Sequence, residues 1–266
     1  MKELHYTYRM TLTFNAPVEA HFFTLRCQPA STPAQQALSG AVITVPEVVL
    51  REGEDGWGNY CLIGQLMSPH DSLSLAAEGC VALHSEAHEG CAPVQAASYA
   101  AFTPFTRPGE ALTLLARRFL LRRGMSDRAK AEMFMRGVHN AIDYVPRSTT
   151  VRTTAEQAAA RHQGVCQDMT QILLSLCRME GIPCRYCAGL LEGEGATHAW
   201  AEVYAEGMWL GLDPTNAIPV AEQHIKLTQG RDHADCPLEC GVFRGTAMQQ
   251  MEIHAAVQPL HQGGNA

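Results

Sequence analysis

A thiol, an imidazole and a carboxylate follow one another in three short segments: Gly164-Val165-Cys166-Gln167-Asp168, Thr197-His198-Ala199-Trp200 and Leu212-Asp213-Pro214-Thr215-Asn216. These are the parts of a cysteine nucleophile, a general base and an acid that holds the base in one tautomer. Taken singly, each residue has a plainer reading. Cys166 could be a buried apolar thiol, His198 a hydrogen-bonded core histidine, and Asp213 the cap of a turn before Pro214. What distinguishes the two readings is whether the surrounding elements bring the three side chains together.

Cys166 opens a helix, because Met169, Ile172, Leu173, Leu176 and Met179 recur at the three-and-four spacing of one buried face. Gly181 and Pro183 end it. Upstream, Thr153 and Glu156 have the spacing of a capping box and begin a short Ala-rich helix that stops before Gly164. Cys166 is therefore a first-turn residue, three positions before Met169 on the buried stripe, which aims its sulfur at the packed side. Free amides and the macrodipole at a helix N-terminus stabilise a thiolate, and the same amides can donate to a tetrahedral oxyanion.

Residues 197–205 and 208–213 alternate and are rich in Trp, Val, Tyr and Leu, with Glu206-Gly207 between them, which predicts a hairpin. A two-residue loop pairs Ala205 with Met208, and so sets Trp200 opposite Asp213 and His198 opposite Thr215. His198 and Asp213 then share a face as diagonal neighbours, roughly 7 Å apart at the backbone and within side-chain hydrogen-bonding reach.

The first hundred residues have a different rhythm. Leu4, Tyr6, Tyr8, Met10, Leu12 and Phe14 alternate with His5, Thr7, Arg9, Thr11 and Thr13, the pattern of a half-buried strand. Further strands fit residues 21–27, 41–50, 59–66 and 72–83, with Asp55-Gly56 as a turn. Pro104, Arg107, Pro108 and Gly109 mark a passage to helical patterns. One helix fits residues 110–123, with Leu112, Leu115, Phe119 and Leu120; a second, capped by Ser126, carries Ala131, Phe134, Met135, Val138, Ala141 and Ile142. A strand fits residues 184–191. Met251, Ile253, Ala255 and Val257 alternate in a last strand that could return to either sheet. The expected organisation is an N-terminal β-rich domain over 1–105, a catalytic core over 106–225 and a C-terminal segment over 226–266.

At 266 residues the chain can bury a real core, and 46% apolar with 18% charged residues is the composition of a globular protein. A net charge of −7 argues against a nucleic-acid partner. No apolar run is long enough to span a bilayer, and the polar, alternating start has no signal-peptide core, so the cytoplasm is the expected location. Ten cysteines in such a chain are expected to be reduced. Cys184 and Cys187 point to opposite faces of a strand, and neither they nor Cys236 and Cys240 have a matching second pair, so a zinc site is not expected. His84, Glu86, His88 and Cys91 cluster between residues that break helices, and a solvated loop is expected there.

Several spaced motifs together resemble the transglutaminase-like superfamily of papain-type fold, specifically small bacterial members with an N-terminal β-rich extension. They are Asp143-Tyr144-Val145-Pro146, Thr153-Thr154-Ala155, the three segments around Cys166, His198 and Asp213, Gly181-Ile182-Pro183, Gly230-Arg231-Asp232 and Gly241-Val242-Phe243-Arg244-Gly245. One departure is Arg147, where this class often has Gly. The resemblance implies an α+β fold: an antiparallel β-rich domain, then a papain-like core whose nucleophile sits at a helix N-terminus packed on an antiparallel sheet. It implies Cys166 as nucleophile, His198 as base and Asp213 as orienter, with no cofactor and no metal. The expected activity is thiol-dependent acyl transfer on amide bonds, first of all peptide or isopeptide hydrolysis. Amine transfer of the transglutaminase kind and a catalytically silent peptide-binding module are the alternatives. The expected partner is a peptide or protein amide, with no nucleic acid or membrane and an open oligomeric state.

Overall fold

The computed structural model describes residues 1–84 and 86–260. The chain begins with a 24-residue strand, β1 (Lys2–Leu25), followed by β2 (Gln35–Val45), β3 (Arg51–Glu54), β4 (Tyr60–Leu66) and β5 (His70–Leu83). After a short helix at Pro93–Ala97 come four longer ones: α1 (Glu110–Ala116), α2 (Asp127–Ala141), α3 (Ala155–Arg161) and α4 (Cys166–Met179). The remainder is β6 (Cys184–Leu191), β7 (Gly193–Gly195), β8 (His198–Ala205), β9 (Met208–Asp213), β10 (His224–Gly230), β11 (Glu239–Arg244) and β12 (Gln249–Pro259). This is an α+β protein with an antiparallel β-rich N-terminal region, and no helix among the described residues is long and apolar enough to cross a membrane.

Two stretches expected as separate strands are one. β1 runs through both, pairing with β5 and β12 over its first half and with β4 and β11 over its second. The bend between the halves includes Ala20 at a φ of +48°, and the register with β5 shifts between Thr13 and Val18. Bending one strand in this way folds an eight-stranded sheet over its own core of Tyr6, Tyr8, Met10, Leu12, Phe23 and Leu75. The strand expected over 41–50 instead runs over Gln35–Val45 and ends before Pro46, which has no N–H to donate. The last strand, β12, joins this N-terminal sheet, lying between β1 and β7.

The second sheet has five antiparallel strands: the short Ile218–Pro219 pairing, then β9, β8, β6 and β10. The helices cover one face, with Met169, Ile172, Leu173 and Leu176 of α4 in a core shared with Ala199, Ala201 and Val203 of β8. Leu190, Ile225 and Leu227 of the same sheet reach the N-terminal core instead. Two buried amides join the halves along the edge of β10. Gln35 donates to the Lys226 carbonyl at 2.7 Å and accepts from its N–H at 2.9 Å, and Asn59 does the same to Gln229 at 2.9 and 2.7 Å. Each side chain thus stands in for a neighbouring strand.

Three local expectations need correction. Thr154 rather than Thr153 caps α3, accepting from the Gln157 N–H at 3.3 Å, and Gln157 reaches back to the Thr154 N–H at 3.1 Å. Glu156 is used elsewhere: its carboxylate accepts from the N–H groups of Gly109, Ala111 and Leu112 at 2.8, 2.7 and 3.1 Å, and so caps α1. The helix expected over 110–123 stops at Ala116, where tighter bonds from Arg118 N–H to Leu115 and from Phe119 N–H to Ala116 turn the Phe119 ring onto Phe134, 5.0 Å away. The connection holding His84, Glu86, His88 and Cys91 is irregular as expected, but it is not simply solvated. Glu89 within it pairs with Arg185 at 2.7 Å and Lys226 at 3.2 Å.

Phe119 depends on Gly137 in α2, where an added Cβ would meet the ring at 2.1 Å. Gly→Ala inside a helix ordinarily stabilises by about 1 kcal/mol. Here overpacking reverses the sign, and Gly137→Ala is expected to lose roughly 1–3 kcal/mol in urea unfolding. Adding Phe119→Leu should restore part of that loss.

Candidate active site

Three elements meet at the site: the start of α4, the start of β8 and the end of β9. Cys166 is the first residue of α4, as its place on the buried stripe predicts, and it is partly exposed. Val165 precedes it with an extended backbone and no side chain able to cap. Asp168 takes over that role, its carboxylate accepting from the Val165 N–H at 2.9 Å and from the Thr149 hydroxyl at 2.6 Å. Burial pushes the Asp168 carboxyl above its ordinary range against the pull of these bonds. The segment before the thiol is fixed as well, because Gln163–Gly164 pairs in parallel with Asp143–Tyr144 and the Val145 N–H donates to the Gly164 carbonyl at 3.0 Å. Tyr144 stands beside Cys166 with its ring half exposed. Burial and the neighbouring sulfur push its phenol upward.

The hairpin has the expected register. Ala205 pairs with Met208 and Ala201 with Leu212, and the two loop residues Glu206 and Gly207 both have positive φ, +57° and +84°, as a tight hairpin of this hand requires. The consequence is the predicted contact: His198 Nε2 lies 2.8 Å from Asp213 Oδ2. Its other ring nitrogen is left for Cys166, whose sulfur is near enough to act on the charge of the imidazole. Trp200 stacks beside the imidazole at 6.4 Å and is buried. The structure therefore brings Cys166, His198 and Asp213 together, with a hydrogen bond joining the last two.

Asp213 is fully buried, and every lone-pair direction is occupied. Oδ1 accepts from the N–H groups of Thr215 and Asn216 at 2.9 and 3.2 Å; Oδ2 accepts from the Asn216 amide at 2.7 Å and from two imidazoles. The second imidazole is His224, at 3.2 Å and also buried. Burial alone would raise the carboxyl, but the bonds from His198, His224 and Asn216 outweigh it and hold Asp213 well below the usual carboxylate range. The ionised carboxylate in turn supports a cation on His198. Burial opposes that charge, yet the bond to Asp213 and the nearby Cys166 prevail and lift the imidazole to about 9.

His224, Asp168 and Tyr144 carry no role in the sequence reading. Asn216 was legible in principle, since Asp213-Pro214-Thr215-Asn216 is the pattern of a side chain folding back on its own turn. His224 gives no such signal. It enters from β10, which β6 and β8 separate from β9 and which packs closely on Gly189 in β6. A Cβ there would lie 1.9 Å from the Ile225 carbonyl oxygen and 2.9 Å from Trp200. His198, Asp213 and His224 also place two nitrogens and an oxygen within 4.8 Å of one another, a grouping a metal ion could use. The same atoms are already joined by hydrogen bonds, so an ion would have to displace both. Cys184 and Cys187 are buried in β6, and the exposed thiol of the chain is Cys240.

Comparison with known proteins bears on the family and the fold. The transglutaminase-like superfamily matches residues 115–214, and the bacterial transglutaminase-like N-terminal region matches residues 4–82. An uncharacterised protein of Mycobacterium leprae (strain TN) is 25% identical over 93% of this chain and 95% of its own length. An uncharacterised protein of Mycobacterium tuberculosis (strain H37Rv) is 33% identical, over 40% of this chain and 39% of its own. Among solved structures, a candidate cysteine protease of Cytophaga hutchinsonii superposes with a TM-score of 0.83 at 19% identity, over 99% of this chain and 92% of the other, a likeness of fold. The chain belongs to the transglutaminase-like superfamily, in the form that carries the bacterial N-terminal region.

Proposed function

We propose that the chain is a thiol-dependent enzyme that cleaves amide bonds through a thioester, with a peptide or isopeptide as acyl donor and water as acceptor. The observation that carries this is the His198–Asp213 hydrogen bond beside Cys166, with the sulfur at a helix start. With the imidazole raised to about 9, His198 is a cation at neutral pH, placed beside the sulfur. The sulfur attacks the amide carbon, and the Cys166 N–H, which has no partner inside the helix, donates to the oxyanion. As the C–N bond breaks, His198 gives its proton to the departing amine. Water then loses a proton to His198 and attacks the thioester carbonyl; the C–S bond breaks and the acid leaves. Throughout, Asp213 fixes the tautomer and orientation of His198. Water is preferred as acceptor because it needs no second binding site.

Iodoacetamide is expected to modify Cys166 ahead of the more exposed Cys240, read by mass spectrometry of the labelled peptides. Equal labelling of the two would count against an activated nucleophile and favour a silent binding module. His198→Ala should slow the Cys166 reaction strongly near pH 6.5 and much less in alkaline solution, where any thiol ionises. Cys166→Ala should abolish amide cleavage, and Asp213→Asn should lower kcat by about 10⁴. Adding a primary amine separates the acceptors: free acid as the main product supports hydrolysis, amide product supports transfer. The raised His198 value also sets a stability trend. Its contribution is whole below about pH 6.5 and is lost as the pH rises through about 9, so the thermal midpoint should fall over that window more in the native chain than in His198→Gln.

A further inference from the structure

The connection between α1 and α2 reads Arg117-Arg118-Phe119-Leu120-Leu121-Arg122-Arg123-Gly124. It is anchored rather than loose. Phe119 packs edge-on against Phe134 and sits over Gly137, and Gly124 at a φ of +82° turns the chain into the Ser126 cap of α2. With Phe119 turned inward, its two successors point out. Leu120 is 85% exposed and Leu121 36%. The four arginines on either side are exposed and form no ion pair among the described residues, whereas Arg128 and Lys130 further along are paired with Glu132 and Glu180. The wider segment has the same bias: residues 106–161 hold eleven Lys and Arg against five Asp and Glu, in a chain whose overall formal charge is −7.

Two adjacent leucines held out in water between unpaired arginines need a partner that offers a negative surface and a dry interior at once. A nucleic acid supplies the charge but no apolar volume for Leu120. A leaflet of anionic phospholipid supplies both, with phosphates at the level of the arginines and acyl chains beneath for the leucines. We propose that this loop docks the protein on a membrane surface rich in anionic lipid. Such a contact needs no spanning helix, so it is compatible with the absence of one among the described residues.

The test is co-sedimentation of the full chain with vesicles of phosphatidylcholine alone and of phosphatidylcholine mixed with phosphatidylglycerol. The protein should pellet with the mixed vesicles and be released by added salt. Arg122→Ser with Arg123→Ser should weaken partitioning by about thirtyfold, at about 1 kcal/mol per charge. Leu120→Ser should weaken it by roughly tenfold while leaving the salt dependence in place. These side chains are exposed, so an unchanged thermal midpoint will show that the variants fold. No partitioning into the mixed vesicles, equal partitioning into phosphatidylcholine alone, or retention by both variants overturns the proposal, as does binding to duplex DNA without binding to vesicles. The readout uses no amide substrate, and so stands or falls independently of the proposed chemistry.

Discussion

A buried carboxylate without a full set of donors would be an expensive defect, and the site is built around supplying that set to Asp213. Backbone N–H groups come from its own turn, an amide from Asn216, and imidazoles from two different strands. Saturation makes an ionised Asp213 tolerable at zero exposure, and an ionised Asp213 fixes the ring and charge of His198. The hairpin register, the turn after Pro214 and the entry of His224 can all be read as conditions for that one satisfied anion.

The N-terminal half contributes without entering these hydrogen bonds. Gln35 and Asn59 complete the open edge of β10, the strand that begins at His224. β12 lies between β1 and the three-residue β7, which leads into His198. The second imidazole and the backbone before the first are therefore both held from the β-rich side. Cys166 is held from the other, through the helical core and the Asp168 cap.

Much of this geometry was legible because it is local. The three-and-four stripe from Met169 to Met179 places Cys166 at a helix start, and a two-residue loop at Glu206-Gly207 determines which face His198 and Asp213 share. What escaped the sequence rests on contacts between distant segments. Glu156 has the spacing of a local cap, yet its carboxylate is taken by α1, more than forty residues earlier. Phe119 fits a helical stripe, yet the chain leaves the helix before it because Gly137 opens a place for its ring. β1 reads as two strands because its bend interrupts the alternation without interrupting the strand. His224 could not be found from spacing at all, since two strands lie between its own and the one that ends at Asp213.

The position of β12 also has a temporal consequence. It contributes a middle strand to a sheet whose other members are made early, and the strand that leads into His198 has its pairing partner only in this late segment. During synthesis, Cys166, His198 and Asp213 all leave the ribosome before residues 249–259. The stretch that leads into His198 is thus made before the strand it pairs with, and that pairing waits on the last strand of the sheet.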